Sequence, residues 1–103
     1  MIRSGFAAVA LLCFFSPFAQ AQTPRGKLVA LVRQDCGSCH GLTLKGGLGP
    51  ALLPPDLAGK SAEALASIIL DGVPGTPMPP WRGELSPRDA RWIAQKLKEG
   101  FPQ

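Results

Sequence analysis

Apolar residues recur at helical spacing in three segments of the chain, and the stretches between these segments are rich in glycine and proline. The first segment predicts a helix over 25–35, because its apolar residues are spaced i, i+3, i+4. These residues are Leu28, Leu31 and Val32. The stretches 41–59 and 73–83 contain Gly and Pro pairs, which prevent long regular structure. Nothing in the chain alternates between apolar and polar residues as a half-buried strand does.

The second and third segments carry recognisable helix start and stop signals. Ser61 can cap a helix over 62–70, and Ser86, followed by Pro87, starts a third helix that ends at Gly100. The apolar stripes of these two helices are formed by Leu65, Ile68, Ile69, Ala90, Ile93, Ala94 and Leu97. The sequence therefore predicts an all-α domain of about three short helices joined by Gly/Pro-rich loops.

The first 21 residues have the organisation of a secretory signal peptide. Arg3 supplies positive charge, 5–15 form a small-residue and apolar run, and Ala19-Gln20-Ala21 is an A-x-A cleavage site. The apolar run is short for a bilayer span, although an uncleaved membrane anchor is an alternative. We expect a signal peptide over 1–21 and one mature domain over 22–103, exported to the periplasm without stable membrane insertion.

Cleavage after Ala21 changes the cysteine content and the charge of the chain. A lipoprotein signal ending at Cys13 is disfavoured, because Leu12 is not the small residue that such a site needs. The mature domain keeps two of the three cysteines and therefore has no disulfide framework. Lys plus Arg falls from 11 to 10 while Asp plus Glu stays at 7, which gives a net charge of +3. This weak positive charge lacks the dense basic clusters of nucleic-acid-binding proteins, but it suits steering toward an acidic partner.

The segment Cys36-Gly37-Ser38-Cys39-His40 has the C-x-x-C-H spacing of a covalent haem attachment site. Cysteines three apart lie on one side of a helical turn, so both sulfurs can reach the two vinyl groups on one edge of a porphyrin. His40 can then bind the iron from the proximal side. The motif therefore predicts one covalently bound haem c, held through Cys36 and Cys39.

Cysteines at this spacing also occur in three other kinds of site. A thiol oxidoreductase would need a βαβ context, and no strand pattern is present in the sequence. A structural zinc site would need a fourth ligand, and no Cys or His follows His40. A disulfide between Cys36 and Cys39 is possible in the chain without haem.

Met78 is the candidate for the second axial ligand of the iron. It is the only methionine of the mature domain, because Met1 leaves with the signal peptide. Pro77 and Pro79 flank it and restrict the local backbone. Alternatively, Met78 is a gap-filling or exposed residue, or Lys45 binds the iron, which requires a neutral amine.

The mature chain from about 25 to 101 resembles the class I cytochromes c: an N-terminal helix, the C-x-x-C-H motif, a Gly-Pro loop, a methionine loop and a C-terminal helix. The resemblance implies the class I cytochrome c fold around one haem. It also implies that the Pro50 carbonyl binds the second ring nitrogen of His40, although Pro50 alone is consistent with an ordinary turn. The terminal helices of the family pack together, which would bring Leu28 or Val32 against Ile93 or Leu97.

Residues 42–50 and 73–81 are similar to the NirC-type small periplasmic cytochromes associated with cytochrome cd nitrite reductase. This resemblance implies a monomeric electron-transfer protein, not an enzyme, that donates one electron to that reductase in denitrification. The alternative is a haem-binding accessory in maturation of the reductase or its specialised haem. A gas sensor or a peroxidase-like enzyme would require an open sixth position on the iron.

Several further residues have ordinary structural interpretations. Trp81 and Trp92 are expected in the core or against the haem, and Arg82 either contacts a haem propionate or is exposed. Lys45 and Lys60 lie in or beside the loop that follows the haem motif, so they are the candidates for docking a redox partner. The expected solvated face of the third helix consists of Arg88, Arg91, Lys96 and Lys98.

Overall fold

The computed structural model describes Gly5, residues 7–13 and residues 23–102. Within these residues the secondary structure is helical, with no strand, as the sequence predicts. No helix in the described part of the chain is long and apolar enough to cross a membrane. The predicted cleavage site Ala19-Gln20-Ala21 lies outside the described residues, and Cys13 is exposed.

The first helix continues through the C-x-x-C-H motif. It consists of α1 (Arg25–Leu31), a π-helical turn (Val32–Cys36) and α2 (Gly37–His40). The predicted end at 35 is therefore too early, because the motif itself keeps helical backbone angles until Gly41, which has a φ of 92°. π-Helical turns are rare and occur often at functional sites. Here the turn leads directly into the haem motif.

A short helical turn, α3 (Pro54–Leu57), interrupts the loop that follows the motif. Proline is tolerated in the first turn of a helix, because the amide group that it lacks would have no helical partner there. The carboxylate of Asp56 accepts a hydrogen bond of 3.1 Å from the Leu53 amide and closes this turn. The same prolines that prevent a long helix thus begin a short one.

The two later helices confirm the capping signals in the sequence. The Ser61 hydroxyl accepts from the Ala64 amide at 3.1 Å at the start of α4 (Ala62–Asp71). Helix α5 (Pro87–Glu99) begins with a reciprocal capping box, in which Ser86 accepts from the Asp89 amide at 3.1 Å and Asp89 accepts from the Ser86 amide at 3.3 Å. These bonds satisfy amide groups that have no partner within the helix.

One core joins the helices at both ends of the domain. Leu28, Val32 and Ile93 are its most completely buried large residues, and Leu97 belongs to the same cluster. Polar contacts reinforce the junction, since Thr23 donates to the buried Asp89 carboxylate at 2.8 Å. The remaining members of the core are Leu44, Leu57, Leu65, Ala66, Leu70, Leu85, Ala90, Ala94 and Phe101.

Candidate functional site

A cavity of about 740 Å³ opens between the C-x-x-C-H helix, the loop that follows it and the segment between α4 and α5. Its volume lies within the range of about 300–1,000 Å³ typical of ligand and cofactor sites. The lining is predominantly apolar and includes the core residues Leu57, Leu65, Leu85, Ile93 and Leu97. Cys36, Cys39, His40, Pro50 and Met78, the five residues predicted for the site, all contribute to it.

The two cysteines of the motif face this cavity and are free thiols in the polypeptide. Burial, the negative charge of Asp35 and the neighbouring Cys39 raise the pKa of the Cys36 thiol to about 11, against a smaller opposing effect of a backbone hydrogen bond. Disulfide oxidoreductases instead need a lowered thiol pKa, because the thiolate is the attacking species. The raised pKa of Cys36 is opposite to this requirement, and both cysteines line the cavity where thioether bonds to a haem would form.

His40 is oriented by the loop that follows it. Its Nδ1 atom lies 2.7 Å from the carbonyl oxygen of Pro50. Because a carbonyl oxygen only accepts, Nδ1 carries the proton and donates this bond. In the neutral ring the other nitrogen, Nε2, then keeps the lone pair that can bind a metal.

Gly49 is a site residue that the sequence analysis missed. A Cβ atom at this position would lie 2.7 Å from Cε1 and 2.8 Å from Nδ1 of His40. Only glycine therefore lets the backbone pass this close to the imidazole. The amide of Gly49 also donates to the Cys39 carbonyl at 2.7 Å, which ties the loop to the motif. The Gly-Pro pair was a signal for this residue, but a pair of this type usually indicates only a turn.

Met78 lines the cavity from the segment between α4 and α5 and is partly buried. Lys45, the alternative ligand, is exposed and does not line the cavity. The described residues contain no cluster of three or more His, Cys, Asp or Glu side chains that could hold a metal ion. That finding argues against the zinc alternative and leaves His40 and Met78 as the candidate iron ligands.

The aromatic and charged residues divide between the cavity and the outer surface. Trp81 lines the cavity, whereas Trp92 does not and instead packs edge-on against Phe101, with the Arg25 guanidinium 4.6 Å from its ring centre. Arg82, a candidate partner of a haem propionate, instead forms an exposed ion pair with Asp71 at 2.7 Å.

The outer face of α5 is exposed to solvent and carries surface ion pairs. Arg91 pairs with Glu63 at 2.6 Å, and Lys96 pairs with Glu99 at 3.2 Å. Lys98 donates to the carbonyl of Lys60. The prediction of a solvated face is confirmed for Arg88 and Arg91, which are exposed. Lys96 and Lys98 are partly exposed. The sequence pattern does not reveal the polar partners of these residues, one of which, Glu99, lies on α5 itself.

The residues of the cavity fit a covalently attached haem. Two thiols on one helix suit thioether bonds, an oriented imidazole and a thioether suit the iron, and apolar walls suit the macrocycle. The fold and this set of donors define a c-type cytochrome that carries haem c.

Comparison with known proteins supports the assignment to the c-type cytochromes. Residues 24–95 match the sequence profile of the family described as cytochrome C oxidase, cbb3-type, subunit III. A solved structure of the c-type cytochrome NirC superposes with a TM-score of 0.72 at 56% identity, covering 74% of this chain and 89% of that chain. Cytochrome c55X of Stutzerimonas stutzeri is 43% identical over 98% of this chain and 91% of its own length. The chain therefore belongs to this cytochrome c family and is a small, NirC-like member of it.

Two further relatives come from Pseudomonas aeruginosa. Its cytochrome c55X is 57% identical over 74% of this chain, and the match spans 64% of that protein's length. Its dihydro-heme d1 dehydrogenase is 32% identical over 87% of this chain, but this match spans only 21% of the larger protein.

Proposed function

We propose that this chain is a periplasmic cytochrome that transfers one electron at a time. In this proposal Cys36 and Cys39 hold the haem, and His40 and Met78 are the axial ligands of its iron. The bound haem supplies the one-electron change of oxidation state. The observation that carries the proposal is the convergence of these four side chains on one cavity, with His40 oriented by its 2.7 Å bond to Pro50.

The protein side chains would act by keeping the ligands of the iron and its apolar surroundings unchanged. With two protein side chains on the iron there is no open position for a substrate or a gas, which disfavours a sensor or a peroxidase. The apolar walls exclude water, and a thioether ligand favours the ferrous state and raises the reduction potential. Export through the predicted signal peptide over 1–21 would place this chemistry in the periplasm.

We further propose that the electron acceptor is cytochrome cd nitrite reductase. The similarity to proteins named NirC and cytochrome c55X supports this partner. The edge of the cavity offers apolar contacts, since Leu48 is 77% exposed and Val73 is 39% exposed. Lys60 lies at the same edge, but Asp35 and Asp56 line it as well. Apolar contact therefore outweighs charge in this docking, and the attraction to an acidic partner is modest.

Stopped-flow mixing of the reduced cytochrome with purified nitrite reductase tests this proposal. We expect bimolecular oxidation that is faster at low than at moderate salt, because screening weakens the attraction of opposite charges. Lys60→Glu should slow this step without changing the haem spectrum, because Lys60 lines the cavity. Lys27→Glu is a matched control, because Lys27 is exposed on α1 and does not line the cavity. No electron transfer at any salt concentration would rule out the donor role.

A second candidate function is an accessory role in maturation of the reductase or its specialised haem. The similarity to a segment of dihydro-heme d1 dehydrogenase favours it. An accessory would form a stable complex, whereas a redox carrier docks briefly through a small interface. Co-elution with the reductase or its assembly factors in size-exclusion chromatography, without rapid electron transfer, would support this second function.

A further inference from the structure

The segment 72–82, here called the methionine loop, is fixed at both ends to the last turn of α4. The amides of Trp81 and Arg82 donate to the carbonyls of Ile69 and Leu70 at 3.1 and 3.2 Å. Within the loop, the Val73 amide donates to the Met78 carbonyl at 3.2 Å. The backbone of Met78, a residue that lines the cavity, is thus held from the start of the loop.

Thr76 supplies a second contact to the backbone of Met78. Its hydroxyl donates to the Val73 carbonyl at 2.7 Å and accepts from the Met78 amide at 3.3 Å. Residues 77, 79 and 80 are prolines, so Met78 has the only amide hydrogen between Thr76 and Trp81. One hydroxyl therefore satisfies the single donor that this part of the loop possesses.

Gly72 supplies the third contact. It ends α4 with a φ of 68°, a value that favours glycine. A Cβ atom here would lie 2.7 Å from the Met78 carbonyl oxygen and 2.8 Å from the backbone of Pro79 and Pro80. The loop therefore packs directly against a glycine that has no room for a side chain.

We propose that Gly72 and Thr76 are positioning residues that hold Met78 at the iron and set how easily an external ligand displaces it. This inference rests on the proposed role of Met78 as an axial ligand. Neither residue offers a ligand atom for the iron. Thr76 lines the cavity but acts through its hydroxyl on the loop backbone, and Gly72, which does not line it, acts through its missing side chain. An external ligand binds only when Met78 is released, so its apparent affinity reports the fraction of protein with the loop open.

Imidazole is the probe, and its dissociation constant for the ferric protein is the measurement. Thr76→Val keeps the shape of the side chain but removes both hydrogen bonds of the hydroxyl. We expect this variant to bind imidazole roughly two- to tenfold more tightly than the unchanged protein, which corresponds to the loss of a net hydrogen bond. Thr76→Ser keeps the hydroxyl, so its dissociation constant should stay close to the unchanged value.

Gly72→Ala is the second variant, and Gly100→Ala is its matched control. Both glycines end a helix at positive φ, with values of 68° and 106°. A Cβ atom at Gly100 would meet only the Pro54 side chain, at 3.8 Å. Both variants carry backbone strain and should unfold at a lower temperature. Only Gly72→Ala should also tighten imidazole binding, because only it displaces the methionine loop.

The outcomes separate this inference from the proposed function. If the unchanged protein lacks the weak sulfur-to-iron charge-transfer band, Met78 is not the ligand and the proposed ligation fails. If the band is present but Thr76→Val binds imidazole no more tightly than Thr76→Ser, the role of Thr76 is overturned. Equal dissociation constants for Gly72→Ala and Gly100→Ala would overturn the role of Gly72. Should Gly72→Ala not fold, the two Thr76 variants still decide the role of the hydroxyl.

Discussion

The Nδ1 atom of His40 and the carbonyl oxygen of Pro50 lie 2.7 Å apart, although ten residues separate them in the chain. The loop between them is held by further bonds, including one of 2.8 Å from the Gly46 amide to the His40 carbonyl. This loop fixes both the tautomer and the rotation of the imidazole. A histidine held in this way loses little conformational entropy when it binds a metal.

The covalent attachment of the haem leads to the first prediction. Haem should stay with the polypeptide during acid–acetone extraction, because two thioether bonds hold it. The double variant Cys36→Ala/Cys39→Ala should release it, whereas either single variant should retain it through the remaining bond. The fraction of haem left on the protein is measured by its absorption after extraction. Full retention in the double variant would contradict the assignment of these cysteines.

The ligation by Met78 leads to the second prediction. Met78→Ala should keep the haem attached but open the sixth position of the iron. We expect loss of the sulfur-to-iron charge-transfer band, binding of carbon monoxide by the ferrous protein and a lower reduction potential. Val73→Ala is the control, because Val73 lines the same cavity without offering a ligand atom. A band that persists in Met78→Ala would show that another residue binds the iron.

The contact between Gly49 and His40 leads to the third prediction. Gly49→Ala would place a methyl group 2.7 Å from the imidazole ring, so the ring or the loop must move. Overpacking of this kind typically lowers the free energy of unfolding by about 1–3 kcal/mol. Thermal unfolding measures the loss, and a shifted Soret band would show that the histidine has moved. Gly59→Ala is the control, because a Cβ atom there meets nothing within 4 Å. Similar melting temperatures for the two variants would contradict the prediction.

The capping box of α5 leads to the fourth prediction. Ser86→Ala removes the side-chain acceptor of the Asp89 amide, which is bound at 3.1 Å. We expect the free energy of unfolding to fall by about 1 kcal/mol, as for other lost N-caps. Ser67→Ala, in the exposed middle of α4, should leave stability unchanged or slightly higher, because alanine favours helix. Chemical denaturation of both variants measures the difference, and equal midpoints would exclude a role for the cap.

The sequence by itself determined the features that depend on near neighbours in the chain. Helix α5 was predicted from Ser86, Pro87 and Gly100, because caps and stops act within one helical turn. The C-x-x-C-H motif pointed to haem for the same reason, since the spacing of its ligands is itself the signal. Met78 remains a predicted ligand, obtained by elimination because the predicted mature domain has no other methionine. These local signals can be interpreted without knowing how the chain packs.

Only the tertiary structure decided which residues meet across the cavity. The approach of Gly49 to the ring of His40, the pairing of Arg82 with Asp71 and the separation of Lys45 from the cavity depend on loop conformation. A glycine in a loop has the same appearance in the sequence whether it faces solvent or an imidazole. Whether two residues of different loops come into contact depends on how the helices pack and how the loops fold between them. Short sequence patterns carry no information about that packing.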